Sequence, residues 1–172
     1  PASAGMPVID VANLAQAITA PGDTILVPNP AYPIHAFGFI LAGAAIRHVN
    51  ATSPEEYLRG LDRAVRHSVP KPTALVVNYP SNPTAQVVGL DFYEEIVAFA
   101  KKHEIWVLSD LADSEIYFDD VNPPPAIFQV EGAKDVAVEI QSLSKSYAMP
   151  GWRRGFAAGN KTLFRIKRYP GE

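Results

Sequence analysis

The chain has 172 residues, of which 48% are hydrophobic and 19% are charged, and its formal net charge is −3. This length suits one well-packed globular domain, and we expect a single domain over residues 1–172. The slightly acidic charge does not favour nucleic acid as a partner, and no apolar run is long enough to predict a membrane helix. The absence of cysteine excludes thiolate metal sites and disulfides and favours a cytoplasmic location.

Two kinds of hydrophobic pattern alternate along the chain. Helical periodicity predicts helices over residues 8–18, 34–41, 54–67 and 91–102. Continuous or β-rich apolar runs predict strands over residues 24–28, 45–49, 73–78, 105–109, 136–140 and 155–158. Ser53 and Glu56 form a capping box that marks the start of the third helix. The alternation predicts an α/β fold with three layers, in which helices cover both faces of a mostly parallel sheet.

Chemically functional side chains follow four of the predicted strands. Tyr32 lies in the segment NPAYP, Asn82 in YPSNPT, Asp110 directly after the fourth strand and Lys145 in SLSK. In open α/β sheets, ligands bind beyond the carboxyl ends of the strands. The four residues are therefore expected to form one site.

Each of these residues alone also has an ordinary structural explanation. Tyr32 between prolines is typical of a packed loop aromatic, and Asn82 before a proline is typical of a turn. Asp110 could cap a strand or helix, and a lone lysine is usually a solvated surface charge. Their joint order at successive strand ends is what favours a common site.

Three segments carry a specific resemblance: NYPSNPTAQVV, SDLADSEIYFDD and SLSKSYAMPGWRRGFAAGN. They resemble the signature segments of the class I/II (fold-type I) aminotransferases, which depend on pyridoxal 5′-phosphate. The likeness runs from about residue 12 to residue 160. It is strongest to the branch of LL-diaminopimelate aminotransferases and alanine (glutamate–pyruvate) aminotransferases.

The resemblance implies a role for each matching residue. Lys145 would be the catalytic residue, which forms a Schiff base with the cofactor aldehyde and moves the proton of the substrate Cα. Asp110 would pair with the protonated pyridine nitrogen, so that the ring can accept electrons. Asn82 would donate a hydrogen bond to the phenolic oxygen of the cofactor, and Tyr32 would stack on its ring. Ser142 and Arg153 would bind its phosphate.

The sequence departs from the family pattern at two places, and the role of a third residue stays open. Asp113 stands where the family usually has a tyrosine, and Met6-Pro7-Val8 stands where this branch has a phosphate-binding loop. Both departures favour the alternative of a catalytically impaired chain. For His35, two interpretations stay open: a partner of Asp110, or a packed histidine on an apolar helix.

The sequence thus predicts an aminotransferase that exchanges an amino group between an α-amino acid and a 2-oxo acid, and that forms a homodimer like the family. Relatives add an N-terminal arm and a C-terminal small domain that holds the substrate carboxylate, so we expect this chain to be the large-domain part of a longer protein. Two alternatives stay open. One is a catalytically impaired pseudoenzyme or cofactor-binding module; the other is a β-lyase or decarboxylase of the same fold type.

Overall fold

The computed structural model describes residues 11–161. Five α-helices lie within this range: α1 (Val11–Ile18), α2 (Ile34–Leu41), α3 (Pro54–Arg66), α4 (Leu90–His103) and α5 (Leu143–Ser146). The six strands are β1 (Thr24–Asn29), β2 (Ala45–Asn50), β3 (Pro72–Asn78), β4 (Trp106–Asp110), β5 (Ala137–Ser142) and β6 (Gly155–Gly159). Within this part of the chain, no helix has the length and apolar character needed to span a membrane.

All six strands form one sheet in the order β2-β1-β3-β4-β5-β6. Neighbouring strands from β2 to β5 are parallel, and β6 alone runs antiparallel to its neighbour β5. The mostly parallel sheet confirms the predicted fold class. The chain moves outward from β1 to β2 and then returns to the other side of β1, which creates a topological switch point between β1 and β3.

Helices cover both faces of the sheet, each over its own apolar cluster. On one face α1 and α2 pack against β1, β3, β4 and β5, with Leu14 and Phe39 buried among strand residues such as Val76. On the other face α3 and α4 pack against the sheet, with Tyr57 and Tyr93 buried. The opposite placement of α2 and α3 follows from right-handed crossovers that run in opposite directions along the sheet.

The capping box starts α3 as predicted. The Ser53 side chain accepts a hydrogen bond from the backbone N–H of Glu56 at 3.2 Å, and Pro54 occupies the first turn. The other predicted boundaries agree to within two residues, apart from the start of the first helix, which was predicted at residue 8 and lies outside the described residues. The differences that matter lie at strand ends, because Asp110 and Ser142 are the last residues of β4 and β5 rather than loop residues that follow them.

Candidate active site

A cleft of about 400 Å³ lies at the carboxyl ends of the central strands. Polar residues from five separate segments line it, and they include every residue that the sequence predicted for the site: Tyr32, Asn82, Asp110, Ser142, Lys145 and Arg153. The parallel strands β3, β4 and β5 end side by side, with Asn78 of β3 paired in register with Asp110 of β4. The register of the parallel strands therefore brings residues that are distant in the sequence close together at this edge of the sheet.

Asp110 is a buried carboxylate with both oxygens engaged. The Nε2 atom of His35 lies 2.7 Å from Oδ2, and the backbone N–H of Ala112 donates to Oδ1 at 3.0 Å. His35 is fully buried, and its Nδ1 atom has no hydrogen-bond partner within residues 11–161. Since a carboxylate can only accept, Nε2 is the donor of the pair. The contact supports the interpretation of His35 as a partner of Asp110 over that of a merely packed histidine.

Asn78 is a cleft residue that the sequence interpretation missed. Its side-chain amide donates to the backbone carbonyl of Asp110 at 3.0 Å, and its Oδ1 accepts from the backbone N–H of Asn82 at 2.9 Å. The buried Asn78 side chain thereby fixes the segment that carries Asn82 to the end of β4. Its position as the last residue of a predicted apolar strand was the available signal, because an amide at that point faces the ligand edge of the sheet.

Tyr32 stands at the rim of the cleft, with 46% of its surface exposed. Its ring meets the His35 ring edge-on, with centroids 5.8 Å apart and an interplanar angle of 80°. The same histidine contacts Asp110, so the aromatic ring and the carboxylate are linked through one buried side chain. The exposed Tyr32 face leaves an aromatic surface available to a ligand in the cleft.

Lys145 lies in the short helix α5, directly after β5. Ser142 is the N-cap of this helix, and its side chain accepts from the backbone N–H of Ser144 at 3.2 Å. The ammonium nitrogen of Lys145 lies 3.2 Å from Oδ1 of Asp113, and the two side chains are 46% and 27% exposed. This ion pair was not predicted from the sequence, where Asp113 stood out only as a departure from the family pattern.

The lysine side of the cleft is rich in cationic and hydroxyl groups. Arg153 has the left-handed backbone conformation, with φ of 47°, and its guanidinium donates to the carbonyl of Pro150 at 3.4 Å. Arg154, Ser142 and Ser144 also line the cleft. Hydroxyl and guanidinium donors of this kind suit an anionic group such as a phosphate. The predicted loop at Met6-Pro7-Val8 lies outside the described residues.

The fold and the cleft place the chain in the class of doubly wound α/β domains that bind a ligand at the carboxyl edge of the sheet. The sequence profile of aminotransferases of class I and II matches residues 9–168, and the chain belongs to this family. The family depends on pyridoxal phosphate, as the signature segments implied. The membership of the chain in this family confirms the resemblance seen in the sequence.

Curated relatives agree on this assignment. The chain is 62% identical to the protein named putative aminotransferase AatC of Rhizobium meliloti, 50% identical to the glutamate-pyruvate aminotransferase AlaC of Escherichia coli and 43% identical to the LL-diaminopimelate aminotransferase of Aquifex aeolicus. These alignments cover 92%, 92% and 89% of this chain, but only 40%, 39% and 39% of the relatives. The chain thus spans about two-fifths of the length of these proteins.

A solved structure supports the same fold. Substrate-bound BacF from Bacillus subtilis superposes with a TM-score of 0.81 at 34% identity, over 91% of this chain and 39% of BacF. The relatives reported above are named as aminotransferases, and the β-lyase or decarboxylase alternative is not better supported.

Proposed function

We propose that this chain binds pyridoxal phosphate in the cleft and forms the cofactor-binding part of an aminotransferase, which exchanges an amino group between an α-amino acid and a 2-oxo acid. The observation that carries the proposal is the convergence of the predicted residues, including Asp110 and Lys145, on one cleft of about 400 Å³. Family membership supplies the reaction class.

The groups that line the cleft fit this cofactor. A protonated pyridine nitrogen needs a carboxylate, and Asp110 is one that His35 and a backbone N–H already hold in place. A phosphate needs guanidinium and hydroxyl donors, which Arg153 and Ser142 offer. An aldehyde needs an amine, and Lys145 is the lysine among the cleft residues.

We assign the remaining contacts in the same way. Asn82 would donate to the phenolic oxygen, and its segment is held by Asn78. Tyr32 would stack on the ring with the aromatic face that it leaves exposed at the rim. When bound, the cofactor supplies an electron-accepting ring that stabilises negative charge on the substrate Cα.

In this proposal the protein supplies orientation and proton transfer. Lys145 takes the proton from the substrate Cα as a general base and returns it at the other end of the reacting system. Asp110 keeps the ring nitrogen protonated, and His35 keeps the carboxylate oriented through the contact at 2.7 Å. Ser142 and Arg153 hold the phosphate so that the reactive end stays near Lys145.

We further propose that residues 1–172 form one domain, that it works as a homodimer, and that it is cytoplasmic. One continuous sheet with an apolar cluster on each face supports the single domain. The absence of cysteine supports the location. The homodimer rests on the resemblance to fold-type I enzymes, whose sites lie at a subunit interface. The substrates would be an amino acid and a 2-oxo acid, as the family implies.

The test is covalent capture of the cofactor. The purified chain is incubated with pyridoxal phosphate, reduced with borohydride and mapped by peptide mass spectrometry. We expect the label at Lys145, its loss in Lys145→Ala, and its retention in Lys134→Ala, which removes an exposed lysine outside the cleft. A label spread over surface lysines, with Lys145 unmodified, would remove the central claim.

A further inference from the structure

The acidic residue beside Lys145 has a geometry that suggests its own role. Asp113 Oδ1 lies 3.2 Å from Lys145 Nζ, within the cleft that both residues line. The neighbouring carboxylate of Asp110 is engaged by His35 and by the Ala112 N–H. Asp113 is therefore the carboxylate that pairs with the lysine.

Local hydrogen bonds hold the two partners of this pair in place. The backbone carbonyl of Asp113 accepts from the N–H of Ile116 at 3.1 Å, which closes a turn around the aspartate. The side chain of Gln141 donates to Ser114 Oγ at 3.1 Å and so joins the end of β5 to this turn. Since Lys145 follows β5 by three residues, the same bond sets the spacing between the two charged side chains.

We propose that Asp113 is a positioning residue that restrains Lys145 through this ion pair, so that the pair must open before the lysine can bond to the cofactor. The inference rests on the proposed function, in which Lys145 is the residue that binds pyridoxal phosphate. For that bond to form, Lys145 would first release one ammonium proton to solvent, its nitrogen would then bond to the aldehyde carbon, and the carbonyl oxygen would leave as water with the other two protons. An ammonium held against a carboxylate would enter this step less readily than one that is not.

Other charges in the cleft act on the same lysine. Arg153 and Arg154 line the cleft on the lysine side and repel an ammonium, whereas Asp113 attracts it. Both members of the pair are partly exposed, so solvent and salt weaken their attraction. An exposed pair of this kind slows the lysine by about two- to fivefold rather than blocking it.

The test measures the reactivity of Lys145 without the cofactor. The full chain is treated with the uncharged reagent N-hydroxysuccinimide acetate, which converts the lysine ammonium to the acetamide with release of N-hydroxysuccinimide and one proton, and each lysine is followed by mass spectrometry. We expect acetylation of Lys145 to be about two- to fivefold faster in Asp113→Asn than in the parent. Asp113→Glu, which keeps the charge, should react at close to the parent rate.

Salt gives a second readout that a purely structural role would not change. Raising the salt from roughly 0.02 to 0.5 M should accelerate Lys145 in the parent but not in Asp113→Asn. The matched control is Asp135→Asn, which removes the partner of Lys101 at 3.7 Å and should leave the Lys145 rate unchanged. The parent measurement needs no substitution, so it stands even if a variant folds poorly.

Two results would overturn the inference: a Lys145 rate in the parent that ignores salt, or equal rates in a folded Asp113→Asn and the parent. Because acetylation needs no pyridoxal phosphate, it reports on the ion pair even if the cofactor never binds. Conversely, capture of the cofactor at Lys145 without any effect of Asp113 would leave the proposed function intact and remove the ion-pair proposal alone.

Discussion

Asp110 is oriented before any ligand reaches it. His35 holds one carboxylate oxygen and the backbone N–H of Ala112 holds the other, while Asn78 anchors the backbone carbonyl of the same residue. Preorganised groups of this kind stabilise charge in a reaction without reorganising at the moment it develops. The electronic role of Asp110 can therefore be tested by changing this one side chain.

We expect Asp110→Asn to impair proton removal from the substrate much more than cofactor capture. The amide can still accept a hydrogen bond from His35, but it cannot keep a ring nitrogen protonated. Exchange of the α-proton of an amino acid in D2O should fall by about 100-fold, whereas borohydride-trapped label at Lys145 should change by less than about threefold. Nuclear magnetic resonance of the amino acid and peptide mapping measure the two quantities.

Asp120→Asn serves as the control for this substitution, because Asp120 is an exposed residue outside the cleft. It should leave both quantities at the parent value. Equal exchange rates in Asp110→Asn and the parent would mean that Asp110 has only a structural role.

Strand β5 carries a half-buried ionisable group, Glu139, that the proposed reaction does not use. Glu139 lies in the middle of β5, and its Oε2 atom has no hydrogen-bond partner within residues 11–161. Burial raises the pKa of the Glu139 carboxyl above its ordinary value of 4.5, and a backbone hydrogen bond at Phe128 opposes the shift in part. The ionised form is thus disfavoured in the folded chain.

We expect Glu139→Gln to raise the free energy of unfolding by about 1 kcal/mol at pH 7. Because the pKa is raised in the folded state, the protonated glutamate stabilises the fold fully below the ordinary carboxyl pKa. That contribution is lost as the pH rises through the folded pKa. The gain from glutamine should therefore shrink as the pH falls from 7 to about 4.

Urea denaturation at several pH values measures this difference. The matched control is Glu131→Gln, which changes an exposed glutamate and should shift the unfolding free energy by less than about 0.5 kcal/mol. A gain from Glu139→Gln that grows as the pH falls would contradict the assigned sign.

Three exposed aromatic residues lie in β6 or in the segment that precedes it. Tyr147, Trp152 and Phe156 are 68%, 68% and 53% exposed, and within residues 11–161 β6 pairs with β5 alone. Exposed aromatic residues beside an unpaired strand edge favour association with another chain.

We therefore expect the 172-residue chain to self-associate. Sedimentation velocity over a range of concentrations should show species larger than the monomer, and Trp152→Ser should shift the distribution toward the monomer. Phe118→Ser, at an exposed aromatic away from β6, is the control and should have a smaller effect. A clean monomer at every concentration would be inconsistent with this expectation.

We also expect the isolated chain to be a slow aminotransferase even when it holds the cofactor. It spans about two-fifths of the length of its relatives, and correct orientation of a substrate can contribute about 7 to 11 kcal/mol to a rate. By the resemblance noted in the sequence, groups that orient the substrate carboxylate would lie in the part of the relatives that these alignments do not cover. Single-turnover reactions with alanine, glutamate and diaminopimelate should run roughly 100-fold or more below an intact relative.

AlaC of Escherichia coli, assayed whole under the same conditions, is the reference for this comparison. Turnover by the 172-residue chain at the rate of that enzyme would show that the groups that orient the substrate lie within these 172 residues.

Local patterns in the sequence were enough to predict the layered fold and the family. Alternating periodicities identified the strands and helices, because each pattern depends on residues a few positions apart. The family was predicted from signature segments that follow successive strands, such as SLSK with Lys145. The profile match confirmed it. The residues predicted for the site line one cleft, and the roles given to them stay predictions.

The contacts between these segments could not be predicted from local patterns. His35 and Asp110 are 75 positions apart, and the 2.7 Å between them depends on how α2 packs on the sheet. The pairing of Asp113 with Lys145 and the antiparallel direction of β6 depend likewise on the packing of distant segments. Local patterns carry no record of such distances, since they arise from strand register and from the packing of side chains across the sheet.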